Sequence, residues 1–152
     1  MPAAALRTLP SAILYVCGMN AVRSPMASAI TRQLFPQRIY VASAGVRKGE
    51  RDPFVDAVLN EIGLNIDEHE PQTVQELEDT HFDLVVSLAP EAHHWALELT
   101  RTESLDVEYW PTADPTLVTG SREQILDSYR MVRDQLTERI KKRLRWSAAP
   151  AG

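Results

Sequence analysis

Ala12-Ile13-Leu14-Tyr15-Val16-Cys17-Gly18-Met19-Asn20-Ala21-Val22-Arg23-Ser24-Pro25 is the stretch on which the fold turns. Its first five residues form a short apolar run that suits a buried strand, Ala12–Val16. From Ser24 onward Met26, Ala27, Ile30, Leu34 and Phe35 fall near helical spacing, which predicts a helix over Ser24–Phe35. Ser24 reads as its N-cap and Pro25 as its first helical position. Between strand and helix lies a tight loop opened by Cys17, the one cysteine of the chain, and closed by Arg23. Backbone N–H groups of such a loop can converge above the helix N-terminus and make a nest for a phosphate-like oxyanion. A cysteine in that setting, beside an arginine, is favoured as the thiolate, the form that acts as a nucleophile. The plain alternative is a small buried core cysteine next to a surface arginine.

Working outward, the chain predicts further strands at Arg38–Ala42, Phe82–Leu88 and Leu105–Trp110. Helices are predicted at Pro53–Ile62 and Pro90–Thr100. A long amphipathic helix follows, marked by Ile125, Tyr129, Val132, Leu136, Ile140 and Leu144. Strands alternating with helices imply a single α/β domain: a four-stranded parallel sheet with helices on both faces and the loop between the first strand and first helix. Such sheets bind ligands beyond the carboxyl ends of their strands. Cys17, Ser43 and Asp114 each follow a predicted strand, which puts all three on one rim.

With 152 residues the chain is long enough for one full core, read as a domain over 1–146 with a flexible tail over 147–152. A net charge of −5 gives no electrostatic case for nucleic acid or an acidic membrane surface. One cysteine cannot close an internal disulfide, and a nucleophilic role needs it reduced, so a cytoplasmic setting is expected. Met1–Pro10 lacks the layout of a signal peptide, and no stretch has the length of a membrane span. No zinc-ligand spacing is present, and neither metal nor cofactor is expected.

At Cys17–Pro25 the chain resembles the low-molecular-weight protein tyrosine phosphatases, whose fold and loop are shared by the thioredoxin-coupled arsenate reductases. Ser43-Ala44-Gly45 after the second strand and Asp114-Pro115 after a late strand extend the resemblance over nearly the whole chain. It implies Cys17 as nucleophile, Arg23 as the bidentate ligand of two phosphoryl oxygens, and Asp114 as general acid and then base. Without the resemblance Asp114 reads only as a turn residue before proline. The loop residues Gly18, Met19, Asn20, Ala21 and Val22 are expected to hold substrate through backbone amides. Asn20 suits a left-handed backbone. Ser24 can donate its hydroxyl to the thiolate and ease its departure as well as capping the helix, the plain alternative being a cap alone, and Ser43 is implied as a buttress for Asn20. His69 matches a histidine near the family's site and reads as structural or solvated; His93 and His94 read as surface residues.

The chain also departs from the pattern. Val22 stands where many of these phosphatases have a second cysteine, and Met19 where glycine is usual. Thr116-Leu117 replaces the aromatic residues that often follow the Asp-Pro pair, leaving Trp110, Tyr109 or Phe54 to supply a ring. Asp52-Pro53, Glu61–Ile66 and Tyr129–Asp134 lean toward the arsenate reductases. The two further cysteines those enzymes need are missing from Val86–His93; Arg-Ser-Pro leans toward the phosphatases. The expected activity is hydrolysis of a phosphomonoester, on a phosphorylated protein or small phosphoester, through a cysteinyl-phosphate. The alternatives are a single-cysteine arsenate reductase using an external thiol and a non-catalytic phosphate-binding module. A homodimer is compatible with the sequence.

Overall fold

The computed structural model describes residues 9–78 and 81–147. The proposed tail therefore falls, but for Ser147, outside the described residues, as does most of the Met1–Pro10 stretch. Four strands, β1 (Ala12–Cys17), β2 (Tyr40–Gly45), β3 (Leu84–Ser87) and β4 (Asp106–Tyr109), form one sheet in the order β2-β1-β3-β4. Every pairing is parallel. Four helices alternate with them: α1 (Arg23–Leu34), α2 (Pro53–Asn60), α3 (Pro90–Leu99) and α4 (Arg122–Arg143). This is the single-domain α/β sandwich that the strand–helix alternation predicts.

Central β1 is buried on both faces, which explains why it reads as an unbroken apolar run. Its odd residues Ile13 and Tyr15 join the core beneath α1, α2 and α4. Leu14 and Val16 join the core beneath α3. Helices α2 and α4 start, and α2 ends, for local reasons. Asp52 caps α2 by accepting from Phe54 N–H at 2.9 Å, and Ser121 with Gln124 forms a capping box on α4. Gly63, at φ +78°, turns the chain after α2, which therefore ends at Asn60, short of Ile62.

Two sequence expectations need correction here. Strand β2 begins at Tyr40, later than Arg38, because Gln37 takes a left-handed backbone (φ 63°) and the chain turns there. Helix α1 begins at Arg23, so Val22 is its N-cap and Ser24 and Pro25 are its second and third residues. The loop runs directly into the helix, and the Ser24 hydroxyl is committed elsewhere. Pro25 still lies among the first-turn positions whose N–H has no helical acceptor, so proline costs nothing there.

Candidate active site

Cys17 ends β1 with its side chain buried, and Sγ lies 3.0 Å from Ser24 Oγ. Asn20 Nδ2 donates to that same Ser24 Oγ at 2.9 Å, so the serine's own proton goes to sulfur or, at the longer distance of 3.5 Å, to the Ala44 carbonyl. The geometry thus places a hydroxyl within hydrogen-bond reach of the Cys17 sulfur, on a side chain that does no capping.

Residues 17–23 form a loop whose first four carbonyls are each held by a hydrogen-bond partner. Cys17, Gly18 and Met19 carbonyls accept from the amides of Val46 (3.1 Å), Arg47 (2.8 Å) and Gly49 (2.9 Å). The Asn20 carbonyl faces His69 Nε2 at 3.0 Å. Meanwhile the amides of residues 18–23 donate to no acceptor among the described residues. Carbonyls held and amides free is the arrangement of an anion nest at a helix N-terminus. Gly45 makes room for it: a Cβ there would lie 2.4 Å from Arg47 O and 2.7 Å from Asn20 N.

Asn20 is the keystone. It is fully buried, holds a left-handed backbone at φ 53°, and spends its whole side chain on the loop. Nδ2 donates to Ser24 and, at 3.0 Å, to Ser43 Oγ; Oδ1 accepts from Gln72 N–H at 2.9 Å. Gln72 Nε2 in turn donates to Ser43 O at 2.9 Å. His69 closes this network, and burial pushes its imidazole below the ordinary histidine value. Neutral His69 can donate Nε2–H to the Asn20 carbonyl.

Arg23 Nη1 donates to Thr112 O at 3.1 Å, and Nη2 lies 3.8 Å from Asp114 Oδ2. The other Asp114 oxygen accepts from Thr116 N–H (3.0 Å) and Thr116 Oγ1–H (2.6 Å). Thr116 thereby fixes the rotamer of the carboxylate. Cys17, Arg23 and Asp114 line one cavity of about 320 Å³, together with Met19, Pro53 and Thr116. Asp52 also lines it, and its Oδ2 accepts from Tyr129 O–H at 2.5 Å. Burial, and then the neighbouring Asp52 carboxylate, push the Tyr129 phenol upward.

None of the three rings left to replace the missing aromatic wall lines this cavity. Trp110 is buried against Tyr15, Tyr109 stacks on His93 at 4.5 Å, and Phe54 packs on Tyr129. His93 is likewise more than a surface residue, since Nδ1 is 3.0 Å from Ser87 Oγ. His94 is exposed. Gln72, Thr112, Thr116 and the segment 46–49 are residues that sequence reasoning missed. Gln72, Thr112 and the segment 46–49 act chiefly through backbone groups across long sequence separations that nothing local marks, whereas the Thr116 contact with Asp114, two residues away, is within reach of a local reading. Among the described residues no group of histidine, cysteine or carboxylate side chains could hold a metal ion, and no helix is long and apolar enough to cross a membrane.

The family model described as low molecular weight phosphotyrosine protein phosphatase matches residues 12–147. The chain belongs to this enzyme family. Its curated relatives include the glutaredoxin arsenate reductase of Synechocystis sp., 27% identical over 128 residues, with 84% of this chain and 92% of that protein covered. An arsenate reductase of Shouchella clausii is 28% identical over 130 residues, covering 86% and 92%. Among solved structures, an arsenate reductase from Archaeoglobus fulgidus superposes with a TM-score of 0.68 at 29% identity, covering 87% of this chain and 98% of that one. A tyrosine phosphatase from Erwinia amylovora reaches 0.72 at 20% identity, covering 90% and 93%. An arginine phosphatase from Geobacillus stearothermophilus reaches 0.73 at 24%, covering 89% and 90%. The last two likenesses concern the fold.

Proposed function

We propose that the chain hydrolyses phosphomonoesters through a cysteinyl-phosphate. The observation that carries this reading is the shared cavity: a sulfur nucleophile, a guanidinium and a carboxylate face one space beside a set of free loop amides. The Cys17 thiolate attacks phosphorus, and the bond from phosphorus to the leaving oxygen breaks as Asp114 delivers a proton to that oxygen. Arg23 and the loop amides hold the equatorial oxygens, where charge is spread in the transition state. Water then attacks the cysteinyl-phosphate, Asp114 takes its proton, and sulfur leaves as thiolate with the Ser24 O–H donating to it. Walls of Met19, Pro53 and Thr116 offer no ring for stacking, so the substrate class is the phosphomonoester at large, phosphoproteins included. A reduced, cytoplasmic setting suits the nucleophile.

A second reading rests on the arsenate reductases among the relatives. With Cys17 as the one cysteine, arsenate reduction needs two external thiols. Arsenate condenses on Cys17; one thiol attacks Sγ, giving a mixed disulfide and releasing arsenite. The second thiol reduces the mixed disulfide, so arsenic gains the two electrons that the thiol pair loses. Hydrolysis of p-nitrophenyl phosphate in EDTA, wild type beside Cys17→Ser, tests the first reading. Turnover absent from the variant, which still binds phosphate, is expected. No turnover by folded wild type, with glutathione-dependent arsenate consumption instead, would replace the first reading with the second.

A further inference from the structure

A groove of about 1040 Å³, sharing no lining residue with the Cys17 cavity, runs between α1, the edge of β2 and the segment 65–72. Alternation along β2 turns successive amides to opposite sides. Tyr40 N–H points inward to Ser11 O at 2.9 Å, whereas Gly45 N–H points outward to Gln72 O at 2.8 Å. The amides of Val41 and Ser43 share the outward side, where β2 makes one bridge, Gly45 with Thr73 at its carboxyl end, and pairs with no strand along Val41–Ser43. Neither finds an acceptor among the described residues. Both residues are only 5% exposed, so these donors are sheltered without being satisfied. The outward carbonyls of Val41 and Ser43 are held by side chains, Arg32 Nη2 at 2.9 Å and Gln72 Nε2 at 2.9 Å.

An independent observation marks the same groove. Ser28 Oγ lines it, is 1% exposed as a residue, and is the one buried side-chain polar atom among the described residues without a hydrogen-bond partner. A buried hydroxyl left unmade costs stability, and a ligand acceptor in the groove would recover it. Finally, the opposite rim carries Asp67, Glu68 and Glu70, all exposed and without an ion-pair partner among the described residues.

We infer that this groove binds an extended, basic peptide segment of a partner protein, added along the open edge of β2. Peptide carbonyls take the N–H groups of Val41 and Ser43 and the hydroxyl of Ser28, and lysine or arginine side chains meet the acidic rim. The groove also contains Ser43, His69 and Gln72, the three residues that support Asn20 from behind. Occupancy would therefore reach the catalytic loop through those hydrogen bonds. The inference concerns binding and does not depend on which reaction the front of the loop performs.

The test is a titration of full-length protein with an N-acetylated, C-amidated heptapeptide of alternating valine and lysine, followed by amide NMR shifts. Expected are saturable shifts at Val41, Ser43 and Ser28, with a transmitted shift at Asn20. The rim variant Asp67→Asn/Glu68→Gln/Glu70→Gln, confined to exposed side chains, should weaken binding about tenfold, from three surface charge pairs. Ser28→Ala should weaken it further while leaving the fold intact. No saturable binding at millimolar peptide overturns the inference. So does binding unchanged by the rim variant, or shifts confined to the front of the loop.

Discussion

Replacing Asn20 separates what its side chain contributes from what its backbone conformation costs. In Asn20→Ala three hydrogen bonds disappear, those with Ser24, Ser43 and the Gln72 amide. At about 1 kcal/mol each, the loss is roughly 3 kcal/mol. Alanine must also hold φ near 53°, which adds roughly 1 kcal/mol or more for a residue with a Cβ and no local side-chain bond. Asn20→Gly loses the same hydrogen bonds but tolerates the left-handed backbone. The loop should therefore lose about 4 kcal/mol of support in the alanine variant and about 3 in the glycine variant, both upper values because entering water re-satisfies part of the network. Converted at 1.4 kcal/mol per decade, oxyanion affinity falls by up to about three decades in one and about two in the other. Titration calorimetry with tungstate in EDTA reads both, and denaturant unfolding run alongside shows whether the loss is local. The reasoning is refuted if both variants bind within threefold of wild type, or if glycine does no better than alanine.

Further outcomes follow from single contacts. Gly45→Ala should abolish oxyanion binding and lower the unfolding midpoint, since the new Cβ meets the backbone atoms Arg47 O and Asn20 N rather than a yielding side chain; calorimetry and thermal unfolding check this. Ser28→Ala should raise stability by about 1 kcal/mol in denaturant titrations, because it removes a buried hydroxyl that has no partner. Asp114→Asn should slow alkyl phosphates far more than p-nitrophenyl phosphate, whose leaving group needs no proton; equal losses in kcat would remove Asp114 as the acid. Hydrogen bonds from Arg130 and Arg133 hold the Glu61 carboxyl down at about 2, from an ordinary 4.5. Its folded value is depressed, so its contribution is complete above the unfolded value and disappears as pH falls from about 4.5 towards 2. Glu61→Gln should flatten that part of the stability profile while lowering stability at neutral pH, as unfolding at several pH values would reveal.

Much of this architecture is legible in residue order because the physics involved is local or periodic. The run Ala12–Val16 announces a strand buried on both faces, and the spacing from Met26 to Leu34 announces the helix behind the loop. Ser43 and Asp114 could be put on the same rim as Cys17 simply because each follows a strand of a parallel sheet. What the order of residues does not disclose is how hydroxyls and amides are shared out. Ser24 looks like a cap by residue type, yet Asn20 and Cys17 claim its oxygen, and the helix starts one residue earlier. Gln72 lies 52 positions from Asn20 and fixes it through a backbone amide, a role that any non-proline residue could fill. Trp110 looks available as a pocket wall and is instead core, because β4 delivers it against Tyr15.

That the first four loop carbonyls are each held by a partner, leaving the amides free, has a consequence for how substrate arrives. Attraction at the site comes from peptide dipoles and the Arg23 guanidinium, with Arg51 on the same wall but committed to the Asp67 and His69 carbonyls and to Asp56, while the molecule as a whole carries a charge of −5. A phosphate dianion is thus repelled at long range and gripped only on contact. Added salt, which screens the distant repulsion more than the short-range grip, should leave its capture rate unchanged or raise it, the reverse of an enzyme that draws anions in with a basic surface.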